Sequence, residues 1–130
     1  MRKIVFLVLF FLSSYSFSQD FIWSKIITKG DMSIFIDATR IKKINENIRV
    51  WVLTNYGSPR EHPTLTFQSI VEYQELNCLE DKTLVLRSTI YSDELANGSD
   101  LETVVDDKWN FNTPNARFDL PLKEVCNLVN

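Results

Sequence analysis

Ile48-Arg49-Val50-Trp51-Val52-Leu53-Thr54-Asn55-Tyr56 decides the fold. β-Branched and aromatic residues crowd this stretch, and it holds neither glycine nor proline. At a period of two, Ile48, Val50 and Val52 point to one face and Arg49, Trp51 and Leu53 to the other. Both faces carry apolar groups, so the strand is expected near the centre of a sheet and not at its edge.

Working outward, the chain alternates strand-like runs with turn residues. The three glycines, Gly30, Gly57 and Gly98, all stand where apolar runs stop, and the four prolines also avoid those runs. That distribution predicts an antiparallel sheet joined by hairpins. Before the central run, Phe21 to Thr28 and Met32 to Ile36 read as strands around a Lys29-Gly30-Asp31 turn. Asp37 can then cap a helical turn over Ala38 to Lys43, and Asn45-Glu46-Asn47 turns the chain again. After it, Gly57 to Thr64 reads as a loop with Pro59 and Pro63. Leu65 to Cys78 is the next strand: Phe67, Val71 and Tyr73 share one face, while Leu76 and Cys78 have the opposite parity. A bulge near Gln74–Glu75 would reconcile the halves. Lys82 to Ser92 follows, then the Asn97-Gly98 turn and a short strand from Glu102 to Asn110.

The period changes at the end. Phe118, Leu122, Val125, Cys126 and Val129 fall on one helical face, with Asp119 as N-cap and Pro121 in the first turn, where proline is tolerated. The expected fold is therefore α+β, an antiparallel β-sheet of about five to six strands with a C-terminal helix packed on one face.

The N-terminus is a separate matter. Met1-Arg2-Lys3 precedes nine apolar residues, Ile4 to Leu12, and then a serine-rich stretch ending at Ser18. This is the anatomy of a secretory signal peptide, with Ser16 and Ser18 fitting the small-x-small rule for cleavage after Ser18. Nine helical residues span about 14 Å against a hydrocarbon core of about 30 Å, so a retained N-terminal anchor is the weaker reading, and with the signal cut no membrane span is expected. No cysteine stands near the cleavage site to be lipidated. The domain plan is residues 1–18 as signal and residues 19–130 as one domain, exported to the periplasm, the cell surface or the medium.

Removing Arg2 and Lys3 leaves 12 basic against 17 acidic residues, a net charge of −5. With no basic run longer than Lys42-Lys43, nucleic acid is excluded as a partner. Both cysteines remain in the exported part, and an even count there reads as a Cys78–Cys126 disulfide fastening helix to sheet. Closing that 48-residue separation is worth roughly 4 kcal/mol in the chain-entropy account. The alternative is two buried free thiols.

Catalytic chemistry finds little support. The one histidine, His62, lies between Pro59 and Pro63 and reads as an exposed loop residue. The acidic stretch Asp93 to Asp107 fails as a calcium loop, because Leu95 and Val104 fall where oxygen ligands are required. Glu80-Asp81 and Asp106-Asp107 are adjacent pairs, and on a strand neighbours face opposite ways. No catalytic residue, metal site or cofactor is expected, and the chain is not read as an enzyme. Trp23, Trp51 and Trp109 read as core or sheet-face residues, or, aligned in a groove, as a grip on a ligand.

One pattern runs the length of the exported part. It comprises Trp23, Phe35-Ile36-Asp37 with Ile41, Val50-Trp51-Val52-Leu53 with Asn55-Tyr56, Ser69, Glu75-Leu76-Asn77-Cys78, Leu86, Tyr91-Ser92, Trp109, Pro114 and Val125-Cys126. It resembles the surface-adhesin protein E family of exported bacterial proteins. The resemblance implies a sheet with a disulfide-tied C-terminal helix, and structural roles for Trp23, Asp37, Trp51, Tyr56, Ser69 and Trp109. It also implies adhesion to extracellular-matrix and plasma proteins such as vitronectin, laminin and plasminogen, and formation of a homodimer. The chain departs from the family at Leu76, where a tyrosine is usual, and at Leu79-Glu80-Asp81, where basic residues are usual. It also lacks a lipobox cysteine. The second functional reading is a periplasmic structural or accessory protein of the cell envelope with no host ligand.

Overall fold

The computed structural model describes residues 20–105, 108–112 and 118–129, apart from the side chain of His62. Its strands are β1 Ser24–Lys29, β2 Met32–Ile36, β3 Lys42–Ile44, β4 Asn47–His62, β5 Leu65–Asn77, β6 Lys82–Tyr91, β7 Asp100–Val104 and β8 Trp109–Phe111. The helix α1 spans Asp119–Val129, and two 3-10 turns span Ala38–Arg40 and Glu94–Ala96. One antiparallel sheet takes in all the strands in the order β1-β2-β4-β5-β6-β7, with β3 also pairing β4 and β8 also pairing β6.

β2 lies along Val52 to Tyr56 of β4, and β3 continues the same flank along Asn47 to Arg49. β7 and β8 divide the outer flank of β6 in the same way, at Ser88 to Tyr91 and at Lys82 to Leu84. The expected last strand is thus two strands serving opposite halves of β6. The Asp106–Asp107 pair within it, and Pro114 beyond it, lie outside the described residues.

The central strand is as expected in character and longer than expected. β4 runs to His62, so residues 57–62 are strand and not loop. Its pairing with β5 jumps from Asn55↔Ser69 to Arg60↔Phe67, so Tyr56 to Pro59 face Gln68 as a wide irregularity. Pro59 sits inside it, where a missing N–H breaks no ladder. The β1–β2 hairpin tip docks there. Gly57 donates its N–H to the Asp31 carbonyl at 2.8 Å, Ser58 donates to the Asp31 carboxylate at 3.1 Å, and Arg60 forms an ion pair with that carboxylate.

The expected bulge in β5 is also corrected. Ile48 to Asn55 pair without interruption with Leu76 to Ser69, so β5 is regular and Leu76 truly faces away from Tyr73. The extra residue is Leu86 on β6, between Tyr73↔Arg87 and Gln74↔Val85. The helical turn foreseen over Ala38 to Lys43 is a 3-10 turn of three residues, after which β3 begins. Asp37 caps it by accepting from the Thr39 N–H at 3.0 Å.

The main core cluster lies on the face that α1 covers, while Leu53 and Val71 are buried on the other. Ile34 and Ile36 of β2, Ile48, Val50 and Val52 of β4 and Leu76 of β5 meet Leu122, Val125 and Cys126 of α1. These helix positions are the apolar stripe read from the sequence. Cys78, just past β5, is bonded to Cys126, with Cα atoms 5.9 Å apart. The β6–β7 connection turns at Gly98, whose φ of +77° favours glycine. A Cβ there would stand 2.2 Å from Ser92 Oγ.

Candidate functional site

The sheet face opposite α1 is where side chains converge with no helix among the described residues over them. Its organiser is Asp37, which is fully buried. Its carboxylate accepts from the Ile22 N–H at 3.2 Å, from the Thr39 N–H and from the Thr39 hydroxyl, and Arg40 Nε lies 3.4 Å away. Burial alone would raise the carboxyl pKa. The Thr39 hydroxyl, the Ile22 and Thr39 N–H groups and the Arg40 charge outweigh that and hold it below its ordinary value. Arg40 in turn donates to the Asp20 carbonyl at 3.1 Å and lies over the Phe21 ring at 4.9 Å. A single buried anion thereby fixes the segment that carries Phe21 and Trp23.

That segment completes an aromatic row. Ring centroids are 4.7 Å apart for Phe21–Trp23, 5.0 Å for Phe21–Trp51 and 4.6 Å for Trp51–Tyr73. All four side chains are half-buried. Beside the row opens a cleft of about 380 Å³ lined by Thr39, Arg40, Ile41, Lys42, Trp51 and Tyr73. Arg49, paired with Lys42 of the cleft lining, donates to Glu75 at 2.7 Å, while Asn47 donates to the other Glu75 oxygen at 3.0 Å. The hydrogen bond to Glu75, with the carboxylate charge and Tyr73 behind it, raises the Arg49 pKa further above its ordinary value.

Of the residues singled out in the sequence, Trp23, Asp37 and Trp51 therefore come together. Trp109 does not join them. It pairs Leu84 across β8–β6, on the same face but toward the other edge, and lies under Lys82 Nζ at 4.7 Å. Tyr56 stands at the β4 irregularity, with Phe67 at 6.0 Å and Arg60 over its ring at 4.8 Å. Phe21, Tyr73 and Arg40 were not singled out. The spacing Phe21-x-Trp23 and the shared parity of Tyr73 with Val71 were the available signals. Among the described residues no three His, Cys, Asp or Glu side chains come together as a metal site.

Ser69 has a distinct structural task. Fully buried, it donates to the Asp93 carbonyl at 2.6 Å and accepts from the Ala96 N–H at 2.9 Å. Asn55 accepts from the Leu95 N–H at 2.7 Å. Together they hold the second 3-10 turn on β4 and β5, although Leu95 and Ala96 have positive φ of 56° and 61°. Ser69→Ala is expected to remove both bonds and lower unfolding stability by about 2 kcal/mol, read as a shift of the urea midpoint at unchanged slope. An unchanged midpoint would show that the turn does not depend on them.

The family profile described as Surface-adhesin protein E matches residues 23–127. The chain belongs to the surface-adhesin protein E family. A structure of Haemophilus influenzae protein E is similar over 82% of this chain and 84% of that one, with 16% identity and a TM-score of 0.54. A second crystal form of that protein gives 82% and 87% coverage, 16% identity and a TM-score of 0.56. Protein E from non-typeable Haemophilus influenzae gives 84% and 79% coverage, 17% identity and a TM-score of 0.52. At such identities the likeness is one of fold. No curated protein sequence matches. Membership in a surface-adhesin family places the chain among exported or cell-surface proteins. No helix among the described residues is long and apolar enough to cross a membrane.

Proposed function

We propose that this protein E relative is an exported, non-enzymatic binding protein. In this reading the signal is cut after Ser18, no lipid is attached, and the mature domain meets an extracellular protein through its open sheet face. The observation that carries the reading is family membership across residues 23–127. The half-buried aromatic row and its cleft supply a surface of the kind that anchors protein partners. The test is binding of purified residues 19–130 to immobilised vitronectin, laminin and plasminogen, the ligand class that the family resemblance implies. Saturable binding to at least one is expected, with Gln19 as the N-terminal residue of the exported chain by mass analysis. A flat response on all three overturns the adhesin reading. The same resemblance implies a homodimer, which sedimentation of the mature chain reads directly.

The acidic turn Leu79-Glu80-Asp81 beside the disulfide favours a second reading, since basic residues are usual there in the family. On that reading the protein is a structural or accessory component of the periplasm. Deleting its gene would then give an envelope-stress phenotype with no loss of adhesion.

A further inference from the structure

Cross-strand register sets basic and aromatic groups side by side on the open face. Lys42 pairs Arg49, and Tyr73 lies between Trp51 on one flank and Arg87 on the other. Lys25 pairs Phe35 on the same face, its Nζ 5.5 Å from the ring centroid. In the three cross-strand rows through Arg49, Trp51 and Leu53, the one carboxylate among the described residues is Glu75, already bound by Arg49. Lys42 and Arg87 are exposed and have no ion pair among the described residues. The chain as a whole is acidic, with 17 acidic against 14 basic residues. Around the cleft, where Asp37 and Glu75 are each already bound by an arginine, the face therefore has the opposite sign to the molecule that carries it, which selects and steers anionic partners.

We propose that the open face docks an acidic protein segment, with one apolar or aromatic side chain of that segment seated in the cleft beside Trp51 and Tyr73. Its carboxylates lie over Lys42, Arg40 and Arg87. The proposal rests on the binding-protein reading above and specifies the chemistry of the partner. The cleft, about 380 Å³ and lined by no carboxylate, is within the size range of sites that take a compact ligand group. Trp, Tyr and Arg together are the residues that most often anchor protein partners. A sugar ring would need a flat, free aromatic platform, whereas the Trp51 ring is engaged by both Phe21 and Tyr73.

The probe is a short fluorescein-labelled peptide of glutamates flanking one central tyrosine, titrated with the full mature protein at low and physiological salt. Saturable binding that weakens with salt is expected, with no binding of the matching lysine-flanked peptide. Trp51→Ala is expected to weaken binding about tenfold or more, and the double variant Lys42→Glu, Arg87→Glu by at least about tenfold. The double variant changes only exposed side chains and so keeps the test independent of folding. Absent binding, equal binding of the two peptides, or unchanged affinity in the double variant overturns the proposal. So does a heparin oligosaccharide that binds where the peptide does not, which would make the ligand a glycan. Matrix-protein binding is read in parallel. If the double variant keeps it, the adhesin reading stands and this proposal falls. If the acidic peptide binds but no matrix protein does, the adhesin reading falls and this one stands.

Discussion

Replacing Cys78 and Cys126 together by serine is expected to lower the unfolding free energy by about 4 kcal/mol. The bond spans a sequence separation of 48 residues, so its loss frees a long loop in the unfolded chain. The native side of the balance points the same way. α1 has 11 residues, shorter than the length at which isolated helices hold in water. It persists through Leu122, Val125 and Cys126 packed on β2, β4 and β5. Without the bond, detachment of α1 becomes the cheapest opening of the molecule, and it exposes Ile36, Ile48, Val50 and Leu76. The measurement is a urea titration of the oxidised wild type against the double serine variant. Binding of an apolar dye by the variant before its main transition would report helix release. Coincident midpoints would show that packing alone fastens the helix.

Much of this architecture is legible in local pattern. The alternation of Ile48 to Leu53, the helical spacing of Leu122, Val125 and Cys126, and the turn residues at Gly30 and Gly98 each state their structure within a few positions. What is not legible depends on pairing. Leu65 to Asn77 has apolar residues of both parities, and the sequence cannot tell a bulged strand from a strand buried on both faces. The sheet decides it, because β5 is flanked by β4 and β6 and has Val71 and Leu76 buried on opposite faces. The site is less legible still. Arg87 stands beside Tyr73 only because Leu86 is an extra residue that shifts the β6 register. Phe21 reaches Trp51 only because Asp37 holds the segment before β1. Pro59 marks a loop by its local preference, yet the strand passes through it where the ladder is already interrupted.

Asp37 is the residue on which both stability and the open face depend, and Asp37→Asn is expected to cost about 3 kcal/mol. The side chain is fully buried. An amide in its place retains one acceptor oxygen, but its NH2 group faces the Ile22 N–H or the Thr39 donors. At least one buried donor loses its partner, and Arg40 loses the charge it leans on. The consequence extends beyond the turn. With Ile22 released, Phe21 has no fixed position over Trp51, so the near-ultraviolet circular dichroism of the tryptophans should fall along with the urea midpoint. The pH dependence discriminates this account from a simple packing defect. The folded carboxyl has a pKa below its ordinary 3.8, so its stabilisation is complete above that pH and is lost as the pH falls through the folded value. The gap between wild type and Asp37→Asn should therefore be constant from neutral pH down to about that ordinary carboxylate value. Below it the gap should narrow, since a protonated Asp37 gives up the same anion that the variant lacks. A gap that stays unchanged as the pH is lowered further would mean that the charge of Asp37 is not what holds the N-terminal segment on the sheet.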